Sequence, residues 1–311
     1  MESIQNLKKR IKSVGNIKKI TKAMELVAAT KMRKAQEVAL GSRPYAFTAL
    51  DLLSSLSLLE KKDLPQLLKQ RKVKKVLFVL VASDKGLAGS FNSSVFKKFE
   101  QHMERDAEKY VKEEKFFVAV GEKAFNYLSK KGIVVLQKFV QVGDYVTPEQ
   151  VDPLIQLIIN GYLEKKWDRV IVVSMHFASA LRQEAHVRRI LPVDYDHVKE
   201  TIEELVPKTG KFANILSNGE TKKQDEANYL IEPSSKVVLE MLAKHLLFME
   251  MYHLILEANA AEHSARRLAM KTASDNASDL SEKLNLEYNK SRQAGITNQI
   301  IEITAGAESL N

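Results

Sequence analysis

The sequence has no cysteine, a single tryptophan and only seven prolines in 311 residues. Without cysteine, a disulfide framework, a Cys-ligated metal and a dithiol switch within the chain are excluded. No apolar run reaches the length of about 18 residues that a membrane-spanning helix needs. The first dozen residues are charged too early and too often for a secretory signal, and they lack the Arg- and Ser-rich character of a transit peptide. These absences predict a cytoplasmic-side protein of bacterial type. Catalytic signatures are missing as well: there is no GxxxxGK[ST] phosphate loop, no HExxH and no GxSxG. The seven histidines do not cluster. His253 and Glu257 share a helix face, but two groups do not make a ligand set, so they read as a polar pair. Glu203 and Glu204 read as a solvated helix end rather than an acid/base pair. No residue pattern names a reaction, and no cofactor is expected.

What is present is apolar content for a core and an uneven charge. Hydrophobic residues make up 45% and charged residues 28%, enough for one or two domains. The net charge is +9. Lys8, Lys9, Arg10, Lys12, Lys18, Lys19, Lys22, Lys31, Arg33 and Lys34 face one acid, Glu25, over residues 8–34. That segment alone accounts for the whole net charge, and no acidic block elsewhere matches it. A solvated helix face explains an ordinary lysine run. Confinement to one helix points equally to an external acidic partner: a protein, a nucleic acid or an anionic membrane surface.

The basic segment is predicted to be a helix. Ile4, Leu7, Ile11, Val14, Ile17, Ile20, Met24 and Val27, then Met32, Ala35 and Val38, recur mostly at helical steps. Gly15 weakens this pattern without breaking it. Pro44 predicts a kink or restart, and Leu50, Leu53 and Leu56 resume the pattern before it fades at Lys61. The middle of the chain alternates. Val- and Leu-rich runs at 74–82, 115–120, 133–140 and 168–175, with a weaker one at 186–193, read as strands. Amphipathic stretches at 93–112, 121–131 and 148–165 read as helices, so a mostly parallel sheet is expected. Residues 206–232 read as a loop ending in a short strand at Tyr229, Leu230 and Ile231.

Between Pro233 and Gly295 neither Gly nor Pro occurs. Those roughly 60 residues would make a helix of roughly 90 Å. A helix that long needs a partner, because helix stability in proteins comes mainly from packing. The N-terminal helix is the available one. The expected fold is therefore α/β plus a long antiparallel coiled coil, with a Rossmann-like α/β domain inserted between the paired terminal helices. The expected segments are 1–62, 70–205, 206–232 and 233–311. Ala261, Ala265, Ala269, Ala273 and Ala277 recur every four residues, and such small side chains allow close helix approach. Ile296, Ile300, Ile301 and Ile303 then make an apolar tip that is a liability unless a partner covers it.

One turn merits weighing as a site. SDKGLAGSFN at 83–92 follows the first strong strand, and Gly86 and Gly89 can open a turn whose amides face an anion. A dinucleotide fingerprint needs three glycines at another spacing, so a tight structural turn is favoured.

Three blocks resemble the gamma-subunit family of rotary F-type ATP synthases: IKSVGNIKKITKAMELVAATKMRKA at 11–35, SDKGLAGSFN, and the stretch from EPSS through ARRLAMKTASDNASDL, EYNKSRQAGIT and EITAGA. Ala88 stands where the family often has Cys, at a position expected to be packing. The resemblance implies a central rotor shaft that couples proton flow to conformational cycling of the catalytic beta subunits. It implies a non-catalytic chain, with alpha, beta and epsilon subunits and a membrane c-ring as partners. Nucleic acid and a direct membrane span are not implied. It also implies rotor–stator contacts at Lys8, Lys9, Lys18, Lys22, Met24, Arg266, Arg292, Gln293 and Thr297. A basic coiled-coil nucleic-acid-binding protein is the alternative, and it leaves the apolar tip unexplained.

Overall fold

The computed structural model describes residues 3–41, 65–105, 112–142, 144, 146–193 and 232–308. The expected resumption at Leu50, Leu53 and Leu56, the Glu203–Glu204 pair and the strand at Tyr229 to Ile231 lie outside them. Two long helices bracket an α/β region: α1 (Ile4–Gly41) and α5 (Ser235–Glu308). Between them come β1 (Lys75–Val81), α2 (Phe91–Arg105), β2 (Glu114–Val120), α3 (Glu122–Lys130), β3 (Gln137–Phe139), α4 (Pro148–Leu163), β4 (Arg169–Phe177) and β5 (Gln183–Leu191). α5 continues through Gly295 to reach 74 residues. By contacts the chain divides into two compact units, 1–29 with 266–311, and 30–265.

In the first unit α1 turns Leu7, Ile11, Val14, Thr21, Glu25 and Ala28 inward, steps of four, three and seven. α5 turns Met270, Ser274, Ala277 and Leu284 inward at the same kind of spacing. That is a heptad seam, narrower than an ordinary amphipathic face. The two segments run in opposite directions, since Gly295 lies against Ile4 and Lys18 Nζ donates to Ser278 Oγ at 2.9 Å. The seam departs from the stripe expected from the sequence: Ile17, Ile20 and Val27 are half or more exposed, while Thr21 and Glu25 are buried. Both buried polar groups are locally satisfied. Thr21 Oγ1 donates to the Ile17 carbonyl at 3.0 Å, and Glu25 pairs with Lys22 at 2.9 Å.

The second unit holds a five-stranded sheet in the order β3-β2-β1-β4-β5. β1, β2, β3 and β4 are parallel, and β5 pairs antiparallel on β4. Period-two alternation puts Val76, Phe78 and Leu80 on one face of β1 and Leu77, Val79 and Val81 on the other. The first set packs with Phe91, Val95 and Phe99 of α2 and Leu128 of α3. The second packs with Val151, Leu154, Ile155 and Ile158 of α4 and with α5 from Leu239 to Ala258. Both faces are covered, which is why the central strands are near-continuous apolar runs.

Small features fix the layers. Gly161 leaves room for the Trp167 indole, which a Cβ there would strike, and Trp167 Nε1 donates to the Ile158 carbonyl at 3.0 Å. At the amino ends of the strands Asp168 accepts from the Lys74 and Lys75 amides at 3.0 and 3.1 Å and pairs with Arg71 Nε at 2.8 Å. Arg71 also lies 4.0 Å over the Tyr162 ring. No helix among the described residues is long and apolar enough to cross a membrane.

Candidate functional site

All nine residues implied as rotor–stator contacts fall in the unit built from 1–29 and 266–311. Lys8, Lys9, Lys18, Lys22, Arg292, Gln293 and Thr297 are exposed, and Met24 and Arg266 are half-buried. Of the charged ones, Lys18 is engaged with Ser278 and Lys22 with Glu25. Thr297 Oγ1 donates back to the Gln293 carbonyl at 3.0 Å, as a helical threonine does when it faces solvent. Around them large apolar side chains are exposed on both helices: Ile17, Ile20, Leu26 and Val27 on α1, and Leu268, Leu280, Leu286, Ile296, Ile300, Ile301 and Ile303 on α5. The sequence reading found the isoleucine tip but missed Leu26, Leu268, Leu280 and Leu286. Hydrophobic periodicity gave no signal for them, since it assigns apolar residues to the buried side.

The second place to look is the carboxyl edge of the sheet, where the strand order reverses between β1 and β4 and open α/β sheets bind ligands. The 83–92 turn lies there. Leu87 and Gly89 both adopt positive φ, 63° and 56°, so the turn is tight. Its polar groups serve the chain itself. Asn92 Oδ1 accepts from the Ser83 amide at 3.0 Å, and Asp84 accepts from the Glu122 and Gln141 amides at 3.0 and 2.9 Å. Asp84 thus supplies its own anion to the amino end of α3. Gly121 is required beside it, because a Cβ there would run into the Ala82 carbonyl, and its φ is 91°. Ala88 is buried in the same core cluster as Phe91, consistent with a packing position. A wide, open hollow lies elsewhere, between α2 and β5, beside Lys98, His102, Arg105 and His186.

The rest of this edge is occupied by α5. Residues 250–264 are buried without interruption. Ala258 belongs to the cluster on one face of the sheet and Ala261 to the cluster on the other, with Ala265 packed beside it. The helix therefore crosses the strand ends at these alanines. Part of the alanine stripe thus serves contact with the sheet rather than with another helix. Glu257 meets His176 Nδ1 at 3.2 Å and Arg188 Nη1 at 3.4 Å. Burial opposes its charge, but the His176 bond and the charges of Arg188, His176 and His253 outweigh it and hold its pKa below the usual carboxylate value. Asp144 behaves alike: burial raises its pKa, yet Lys31 at 2.5 Å, with His263 and Lys85, brings it down. The pair expected at His253 and Glu257 is thus part of a larger ionic cluster whose β-strand members are far away in sequence. Among the described residues no group of three or more potential ligands could hold a metal ion.

A family profile described as ATP synthase matches residues 3–310. The ATP synthase gamma chain of Moorella thermoacetica is 33% identical over 310 residues and covers all of both chains. That of Opitutus terrae is 38% identical over 305 residues, 98% of each. Among solved structures, a chain of the Tetrahymena thermophila mitochondrial ATP synthase central stalk and c-ring matches with a TM-score of 0.59 at 22% identity. It covers 82% of this chain and 99% of its own. A chain of the Euglena gracilis mitochondrial ATP synthase OSCP/F1/c-ring assembly matches with a TM-score of 0.61 at 15% identity, covering 99% and 94%. At these identities the solved structures speak to the fold.

Proposed function

The chain belongs to the ATP synthase gamma-chain family and forms the central rotor shaft of an F-type ATP synthase, and on that footing we propose how its two units share the work. The unit of 1–29 and 266–311 is an antiparallel coiled coil that turns inside a ring of alpha and beta subunits. The unit of 30–265 holds the Rossmann-like domain of 70–205, which sits beside the epsilon subunit on the membrane c-ring. Proton flow turns ring and shaft together at the cytoplasmic face of a bacterial membrane, where the chain is peripheral. The segments are 1–62, 70–205, 206–232 and 233–311.

A conformational equilibrium shifts only by a ligand's differential affinity for its states. An asymmetric shaft is such a ligand, offered in turn to each beta subunit, and ATP chemistry belongs to those subunits while this chain is non-catalytic. The observation that carries the reading is the apolar surface left open on both helices of the first unit, from Ile17 and Leu26 to Leu286 and Ile303. Lys8, Lys9, Lys18, Lys22, Met24, Arg266, Arg292, Gln293 and Thr297 are its rotor–stator contacts. The nucleic-acid alternative accounts for the lysines and not for this surface, and the relatives lend it no support. Reconstitution with alpha and beta subunits tests the proposal. ATP-driven rotation of a bead on this chain is expected, and a chain that fails to co-assemble would end the reading.

A further inference from the structure

Apolar burial is non-directional, so it resists the turning of a helix about its own axis only through the fit of its side chains. Hydrogen bonds and ion pairs are directional. α5 makes them in two rows where it crosses the sheet. Tyr252 Oη donates to the Val146 carbonyl at 3.2 Å, Asn259 Nδ2 to the Val142 carbonyl at 2.9 Å, and His263 Nε2 lies 3.5 Å from Asp144 Oδ1. Those partners follow β3. Glu257 meets His176 and Arg188, and Ser264 Oγ donates to the Ala180 carbonyl at 2.7 Å while accepting from Gln183 Nε2 at 3.3 Å. Those partners belong to β4, β5 and the turn between them. At 3.6 residues per turn the first row spans about 40° of the helix surface and the second about 20°, with about 130° between the rows. Along the axis they cover about 18 Å. Lys31 extends the grip to α1 through Asp144.

We propose that Tyr252, Glu257, Asn259, His263 and Ser264 form a keyed joint that locks α5 against axial rotation in the α/β domain and so transmits torque between them. The proposal rests on the rotor reading. With bonds on two sides of the helix, turning it either way breaks one row. The crossing falls at the ligand-binding edge of the sheet, so the cleft that would hold a small molecule serves as the socket for the helix. Ala258, Ala261 and Ala265 lie on the remaining side of the helix, where they pack on the apolar clusters of the sheet.

The test is the Tyr252→Phe/Asn259→Leu/Ser264→Ala triple variant in the complete membrane-bound complex, with Tyr252→Phe/Ser264→Ala as the milder form. Both leave the apolar packing in place. Expected are ATP hydrolysis near the parent rate and a fall of at least about threefold in protons pumped per ATP, since each such bond shifts a two-state balance about fivefold. A bead on the α/β domain should also report a softer torsional spring, and restoring a hydroxyl with Ser264→Thr should recover both. Unchanged pumping per ATP in the triple variant overturns the joint. Loss of assembly in both variants also overturns it, because the side chains would then serve folding alone. Failure of the rotor reading is distinct: the parent chain itself would show no hydrolysis-driven pumping.

Discussion

One helix behaves in two ways along its length. From 250 to 264 every residue of α5 is buried, whereas from 266 to 305 burial is confined to Met270, Ser274, Ala277 and Leu284. The backbone is the same, so the difference lies in what each stretch packs on. A helix surrounded by protein can carry buried polar groups only with fixed partners, and Glu257, Asn259 and Ser264 have them. A helix with one narrow seam leaves its other faces for something outside the chain. The first stretch is built to be held, and the second to be touched.

The change expected to hurt the held stretch most is Arg188→Met. It removes one of the cations that keep buried Glu257 charged, and breaking a buried pair costs about 3–5 kcal/mol. Trp167 is the only tryptophan and lies buried in the α/β unit. Its fluorescence in urea reads this unit directly, and a midpoint equal to the parent's would show that the cluster is not needed. In the touched stretch the contrast is between neighbours. Leu284 is 3% exposed and Leu286 is 72% exposed. Leu284→Ala should cost about 2–4 kcal/mol of helix pairing, measured by hydrogen exchange of the terminal helices. Leu286→Ala should stay within about 0.5 kcal/mol there yet slow ATP-driven rotation in the assembled ring.

These contrasts follow a boundary that was partly legible in the sequence. The apolar runs around β1, β2 and β4 and the Gly-free stretch of α5 are local signals, and the strands and long helix are where those signals lie. The seam was not legible, because the richest apolar set on α1 includes Ile17, Ile20 and Val27, which face outward, while Thr21 and Glu25 occupy heptad positions. Pattern counting follows hydrophobicity, and on a shaft the exposed faces are hydrophobic too. The direction of β5 was hidden because alternation is the same in either direction. β3 pairs over Gln137–Phe139 within the expected run of 133–140, while Ile133 and Val135 ahead of it pack on the core cluster that holds α2 and α3. The Glu257 cluster joins residues more than 60 positions apart. Its one sequence signal was the His253–Glu257 spacing on a helix face, which carried nothing about His176 or Arg188.

A smaller effect is expected from size alone. Ala261 is fully buried beside the strand ends, so Ala261→Leu should cost about 1–3 kcal/mol by overpacking. Ala269 and Ala273 are half-buried. Ala269→Trp and Ala273→Trp should leave the Trp167 transition in place but lower assembly, and Lys97→Trp on α2 should do little. Equal loss of stability at Ala261 and Ala269 would erase the distinction between the stretches.

Acid should act on the held stretch gradually. Glu257 and Asp144 both have pKa values lowered in the folded state. A carboxylate of lower folded pKa contributes stability above its unfolded pKa and loses it as pH falls through the folded value. Stability of the α/β unit should therefore decline below about pH 4, and Glu257→Gln should flatten that decline while lowering stability at neutral pH. A Trp167 urea midpoint that stays constant from pH 6 to about pH 3 would contradict the ionic account.

The smallest effect on stability is expected at Lys18. It reaches across the first unit to Ser278 at 2.9 Å, but both ends are outside the buried seam. An exposed contact of this kind contributes at most about 0.5 kcal/mol, and salt screens its charge. Lys18→Met keeps most of the side chain's length and apolar stem and removes the cation. Hydrogen exchange of α1 should then match the parent closely. If Lys18 instead meets an acidic loop of the surrounding ring, the loss appears only in the complex. ATPase activity of the variant should differ from the parent at low salt and converge on it as ionic strength rises and the Debye length shrinks to about 8 Å. A salt-independent difference would assign Lys18 to packing, and the touched face would then be read by shape rather than by charge.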